Sequence, residues 1–243
     1  KDANKLTLDG MIALAYDSEL TAFESLLPPL FKAYDAAPSP ALAEQIKSLR
    51  EWDLRTSLES RPTSLAIYWA QDLVQTHAAE ARRHHMPVMD YLPSLPASAL
   101  LSGLQRASER LQKDFGSWQT PWGEINRFQR TSGDIAMIYN DGLESLPIGL
   151  GPAIWGSLPA FKSNYQKDTK KRYGTNGNSF VCAVEFGPKI KAKSLLAAGN
   201  SGDPKSKHFY DHAEMYRKGE LKDVMFYKEE DQKNTEKTYH PGE

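Results

Sequence analysis

Three side chains near the end of the chain have the spacing of a reactive or ligating set. His208, Asp211 and His212 stand at i, i+3 and i+4, so on a helix all three would share one face, where a metal ion or a hydrogen-bonded relay can form. Further ligands for a metal are scarce in the sequence, which leaves hydrogen bonding as the simpler use of the trio, with Asp203 or Ser206 as candidate caps for the helix. His84 and His85 are adjacent and diverge on any helix, so they make no joint site. The one cysteine, Cys182, excludes an internal disulfide and a multi-cysteine zinc site; among apolar neighbours it reads as a small core residue rather than a nucleophile. The run Gly199-Asn200-Ser201-Gly202-Asp203-Pro204-Lys205-Ser206 has a phosphate-loop flavour but lacks the terminal G-K-[ST] at the required spacing. Neither G-x-S-x-G nor H-E-x-x-H occurs, and no two carboxylates can be placed across a cleft, so the residues alone supply no complete catalytic set.

The elements that must position these groups begin with helices. Thr7 is placed to cap Leu8 to Ala15, with Asp9 in the first turn. Glu19 to Tyr34 repeats Leu20, Phe23, Leu27, Leu30 and Phe31 at helical spacing, and Pro28-Pro29 is expected to kink or split it. Ser39-Pro40 opens a third helix carrying Leu42, Ile46, Leu49 and Trp52, and Ser60-Arg61-Pro62 a fourth. Three prolines make Met86 to Pro96 a loop, after which Ala97 to Phe115 regains helical periodicity and Gly116 follows its C-cap. From Gly116 the texture turns mixed. Glu124 to Arg130 reads as a strand, Asp134 to Lys162 as a long Gly/Pro-rich loop, His208 to Lys218 as a helix stopped by Gly219, and Val224 to Tyr227 as a last strand. The central pair is Ser179 to Phe186, apolar on both alternating faces and so expected to be covered on both, and Ile190 to Ala198. The tail Lys228 to Glu243 is charged and is expected to lie on the surface. This describes an α+β chain with a largely helical part, 1–115, and a mixed part, 116–243.

Composition narrows the function classes. Thirty Lys+Arg against 31 Asp+Glu give a net charge of -1, so no electrostatic case exists for nucleic acid or an anionic membrane, and the short basic run Lys167, Lys170, Lys171, Arg172 reads as a solvated loop or helix end. No apolar run approaches bilayer length. The N-terminus has neither Met nor a signal-like apolar core, so the chain is expected to follow an upstream segment.

Four stretches carry a family resemblance: Ser48 to Trp69, Trp118 to Phe128 (W-Q-T-P-W-G-E-I-N-R-F), Gly177 to Val181 and Ser201 to Asp211. In this order and at these intervals the chain resembles the C-terminal part of the β-subunit of the penicillin acylase family, within it the acyl-homoserine-lactone and aculeacin acylase branch, over almost everything from Leu6 onward. The resemblance implies a portion of a four-layer αββα N-terminal-nucleophile hydrolase core, in which Leu6 to Phe115 is a helical excursion. It implies an amidohydrolase of N-acyl substrates such as acyl-homoserine lactones, lipopeptides or penicillin, made as an exported, self-cleaving precursor, hence periplasmic or secreted. In such enzymes a chain-terminal serine attacks the amide with its own α-amine as base. Lys1 cannot play that part, so the nucleophile, the oxyanion-hole asparagine, its neighbouring arginine and the ligands of a structural calcium are expected upstream, and no catalytic, cofactor or metal residue is assigned in this chain. The implied partners are the remaining acylase segments, the α chain and the N-terminal part of the β chain, and a small N-acyl amide, with neither nucleic acid nor membrane. Gly199-Asn200-Ser201, Ser206-Lys207-His208 and Asp211-His212 depart from the family pattern of Gly-Gln-Ser, Ser-Pro-His and Asp-Gln, so substrate choice stays open. The competing reading is a non-catalytic binding or interaction module that retains the scaffold. Within the motifs, Trp118 and Trp122 are expected in the core, Arg127 as a half-buried ion-pair partner, and S-G-D-P-K-S-K-H as a tight turn before a capped helix or as support for an active-site wall.

Overall fold

The computed structural model describes residues 6–134, 136–240 and 242; Lys1, whose type bears on the nucleophile, lies outside them. The chain forms two compact units, Asp17–Gly177 and a second made of Lys1–Tyr16 with Asn178–Glu243. These units cut the chain elsewhere than the change of texture at Gly116, because Trp122, Ile125 and Trp155 from the mixed part belong to the same buried cluster as Leu65, Trp69, Leu100 and Leu104.

In the larger unit the helices are α2 (Phe23–Ala36), α3 (Ala43–Arg50), α4 (Arg61–Arg83), α5 (Val88–Tyr91), α6 (Ala97–Phe115) and α7 (Trp122–Ile125). Ser60 caps α4 by accepting from the Thr63 amide at 3.3 Å, and Pro62 sits in the first turn, where a missing N–H is harmless. α6 ends as its glycine requires, with Gly116 at φ +83° and its amide bonded to the Gln112 carbonyl. Helix α2 corrects the sequence reading twice. It starts at Phe23, since Glu19 is used in a bridge to Arg55, and it is not split at Pro28-Pro29. The carbonyls those prolines leave without donors belong to Glu24 and Ser25, which are exposed and can turn to water, while Phe23, Leu26, Leu27 and Leu30 anchor both halves in the core. Met86 to Pro96 is not a plain loop: it contains α5 and a 3-10 turn over Leu92–Ser94, which buries Leu92.

The sheet of this unit has the order β2-β1-β4-β3, from β1 (Asn126–Phe128), β2 (Leu146–Pro147), β3 (Phe161–Tyr165) and β4 (Arg172–Gly177). β1 pairs parallel with β4, and the other neighbours are antiparallel. Asn126 fastens the long 131–160 connection, its amide nitrogen donating to the Ile148 and Leu150 carbonyls at 2.8 and 2.9 Å, while the Trp122 indole donates to Leu150 at 3.0 Å. The expected strand Glu124 to Arg130 is therefore shorter and preceded by the turn α7. Trp122 is fully buried and Trp118 half-buried against the core; Arg127 is half-buried and donates to the Gly123 carbonyl and to Ser145.

In the smaller unit α1 (Leu8–Ala15) is capped by Thr7 as expected, and β5 (Phe180–Glu185), β6 (Lys191–Leu196) and β7 (Lys222–Asp223) form an antiparallel sheet in that order. Here the structure overturns the expectation of a strand covered on both sides. Phe180, Cys182, Val184 and Phe186 are all exposed, Phe186 at 83%, while Val181 and Ala183 on the opposite face are half-buried. Cys182 is thus not a core residue: alternation places it on the face of β5 that these residues leave open. On β6 it is Leu195 that is buried, and Ala192, Ser194 and Leu196 lie on the other side. α8 spans only Ala213–Lys218, with Gly219 stopping it at φ +72°; the last strand falls two residues before the expected Val224 to Tyr227, and the tail forms an exposed helix, α9 (Lys228–Asn234).

Candidate functional site

The trio singled out by spacing is brought together, though not on a helix. Residues 208–212 form a turn before α8, held by Ser201, Asp203 and Ser206, whose side chains accept from the amides of Asp203, Lys205 and His208 at 2.9 to 3.1 Å. The loop folds so tightly that a Cβ on Gly199 would stand 2.3 Å from the His208 carbonyl. These side chains close a turn; they do not cap a helix. His208 Nδ1 lies 2.8 Å from Asp211 Oδ2. Burial raises the Asp211 pKa, but the His208 hydrogen bond and the nearby imidazoles outweigh it and leave that carboxyl below its usual value. His212 is buried, and its Nε2 accepts from the Lys222 ammonium at 2.8 Å, with Asp211 Oδ1 3.8 Å from the same nitrogen. Nε2 is therefore taken, and Nδ1 is buried. Among the described residues no three His, Cys, Asp or Glu side chains converge enough to hold a metal ion, and nothing in the chemistry below runs through one.

A second constellation escaped the sequence reading. Arg172, the last member of the basic run, is 3% exposed rather than solvated, because it opens β4 between Asn126 of β1 and Tyr165 of β3. Its Nε donates to Ser163 Oγ at 3.3 Å, one terminal nitrogen to the Ser163 carbonyl at 2.6 Å, and the other to Gln71 Oε1. The guanidinium stands 5.1 Å from the Tyr165 ring centre and 6.0 Å from that of Trp122. Tyr165 is shared with Arg110, 4.3 Å above its ring, and meets Tyr68 edge-on at 6.1 Å. Burial drives the Tyr68 and Tyr165 pKa values upward despite both arginines, so the phenols stay neutral donors. Arg172 lines an open cavity of about 400 Å³ with Gln71, Ile154, Trp155, Lys162 and Asn164. The signal available beforehand was slight: Arg172-Tyr173 ahead of Gly174, where the ring of Phe161 lies so close that a Cβ would stand 2.3 Å from its tip.

A family model, penicillin amidase, matches residues 1–233. The chain belongs to the penicillin amidase family. Similar curated proteins within reach of it include acyl-homoserine lactone acylase PvdQ of Pseudomonas syringae pv. syringae (strain B728a), 28% identical over 93% of this chain and 29% of that protein. PvdQ of Pseudomonas fluorescens (strain Pf0-1) is 25% identical over 90% of this chain and 27% of its own length. Among solved structures, the thermostable penicillin G acylase from Alcaligenes faecalis in orthorhombic form aligns over 92% of this chain and 47% of that one, at a TM-score of 0.47 and 13% identity. The chain thus spans less than a third of the length of these curated relatives. The family membership agrees with the resemblance carried by the four motif stretches.

Proposed function

We propose that this chain is part of an N-acyl amidase whose nucleophilic serine is supplied by a segment outside these 243 residues. The observation that carries the reading is the penicillin amidase match over residues 1–233, alongside relatives named as acyl-homoserine lactone acylases. The site chemistry is compatible with it. Neither the His208–Asp211–His212 turn nor the Arg172 cavity holds a nucleophile poised beside a base, so the reacting hydroxyl and the free α-amine that activates it must come from elsewhere. The hydroxyl would add to the amide carbonyl, the amine would leave with the transferred proton, and water would then release the acyl group as a carboxylate. The substrate class is an N-acyl amide such as an acyl-homoserine lactone, a lipopeptide or a penicillin. The remaining acylase segments, a structural calcium bound by them, completion of a four-layer αββα core, and export to the periplasm or medium belong to the same proposal.

The exposed apolar face of β5 supports the idea of a further cover, since Phe180 and Val184, with Phe186 just past the strand, are all exposed on one side. The test uses the complete gene product: intact-mass spectrometry for a second polypeptide, and amine release from a panel of N-acyl-homoserine lactones, lipopeptide and penicillin. Hydrolysis of at least one substrate by the complete product and none by residues 1–243 alone is expected, with Cys182 quickly labelled by a thiol reagent in the isolated chain and shielded in the complete protein. A folded complete product that cleaves nothing favours the binding-module reading, and turnover by residues 1–243 alone refutes the missing nucleophile.

A further inference from the structure

The cavity beside Arg172 has a wall of unusual composition. It is lined by two cations, Arg172 and Lys162, by the amides of Gln71, Gln75, Asn164 and Asn176, and by apolar groups that include Ile154 and Trp155; among the described residues no carboxylate lines it. Arg172 is almost wholly buried, and a charge taken out of water needs a counter-charge or full hydrogen bonding. Its partners are all neutral: Ser163 twice and Gln71 once. The Tyr165 phenol beside it is neutral as well, so none of the groups that hold the guanidinium offsets its charge, and a planar carboxylate reaching it from the cavity would do so. Part of the lining is apolar, with Trp155 buried and Ile154 reaching into solvent at 54% exposure. A volume of about 400 Å³ is that of a small-molecule site, too small for a folded partner.

We propose that this cavity binds a carboxylate carried on an apolar chain, with the carboxylate against Arg172 and Lys162 and the chain along Ile154 and Trp155. The site goes beyond the amidase reading and does not depend on it, because binding rather than turnover reports on it. A bare inorganic anion would leave the apolar wall unfilled, and a neutral amphiphile would leave the guanidinium without a counter-charge; the combination selects the ligand class. The exposed Lys162 guides the charged end, while the buried Arg172 fixes its orientation.

The test is calorimetric titration of the complete gene product with octanoate, with octan-1-ol as the neutral match and acetate as the tailless one. Octanoate should bind with both analogues weaker by about tenfold or more. Arg172→Gln should abolish the preference for octanoate over octanol. Since that change touches a buried network, two exposed positions give independent arms: Lys162→Glu should weaken octanoate several-fold while sparing octanol, and Ile154→Trp, which fills the mouth, should weaken both. All variants are checked by thermal melting. Equal affinity for octanoate and octanol, no binding at all, or octanoate binding untouched by both Lys162→Glu and Ile154→Trp would overturn the proposal, the last by placing the ligand elsewhere.

Discussion

Gly156 offers the sharpest test of how the larger unit is held. It follows the 3-10 turn Ala153–Trp155 with φ +97° and ψ 2°, and the turn is tied to the start of α2 by the Ala22 amide donating to the Trp155 carbonyl at 3.1 Å. A side chain there faces two separate costs. The left-handed backbone disfavours an L residue by about 1–2 kcal/mol. The new Cβ would also stand 2.1 Å from Thr21 Oγ1 and 3.0 Å from the Thr21 amide nitrogen. The hydroxyl can rotate away but the backbone cannot, so overpacking adds about 1–3 kcal/mol. Gly156→Ala should therefore destabilise the unit by about 2–5 kcal/mol in all. Gly116→Ala is the matched control, with φ +83° and nothing within 4 Å of its Cβ, and should cost only the backbone share, about 1–2 kcal/mol. Thr21→Ala on its own should be nearly silent, since Thr21 is exposed, whereas combined with Gly156→Ala it should recover about 1 kcal/mol as coupling. Urea unfolding followed by tryptophan fluorescence reads this cleanly, because all five tryptophans (Trp52, Trp69, Trp118, Trp122 and Trp155) lie within Asp17–Gly177. Equal losses for the two glycine variants, or zero coupling with Thr21→Ala, would refute the steric account.

Asn126→Ala should destabilise the same unit by about 1–3 kcal/mol, because it strands the buried Ile148 carbonyl and leaves that of Leu150 with the Trp122 indole alone, and urea unfolding with the same fluorescence probe would show it as a lowered midpoint at unchanged slope. Alkaline pH should unfold both units: burial pushes Tyr16 up to about 12 and raises Tyr216 and Tyr68, and burial followed by the Asp141 hydrogen bond raises Tyr173. Since these folded values exceed the unfolded one of about 10, stability is complete below that pH and declines as pH climbs from there toward the folded values. Ultraviolet titration of phenolate should show these tyrosines ionising late and together with loss of structure; smooth ionisation near the ordinary pH with the fold intact would contradict their burial.

What the sequence made legible was local chemistry with local consequences. Thr7, Ser60, Gly116 and Gly219 each set a helix end through their own hydroxyl or left-handed backbone, and each does so in the structure. Short strands were harder. β3 reads Phe161-Lys162-Ser163-Asn164-Tyr165 and β4 Arg172-Tyr173-Gly174-Thr175-Asn176-Gly177, mostly polar or glycine, and their pairing rests on partners far along the chain, with an irregularity between Lys162 and Ser163. His208, Asp211 and His212 were grouped correctly by spacing and given the wrong element, because a turn built on Asp203 and Ser206 gathers the same side chains as a helix would.

The two errors about burial share a cause. Alternation assigns residues to faces but does not say whether a face has a cover, so the apolar neighbours of Cys182 suggest an interior position while the residue stands exposed. The basic neighbours of Arg172 suggest an outside position, yet it is sealed between β1 and β3, because β4 begins at Arg172 while Lys167, Lys170 and Lys171 precede the strand. Among the described residues both mark unmet requirements: an exposed apolar face, and a buried cation without an anion. The first is what the proposed acylase segments would cover. The second is not answered by apolar cover, because covering Arg172 without a carboxylate would deepen the desolvation of its charge, and so the occupant of that cavity must bring a negative group with it.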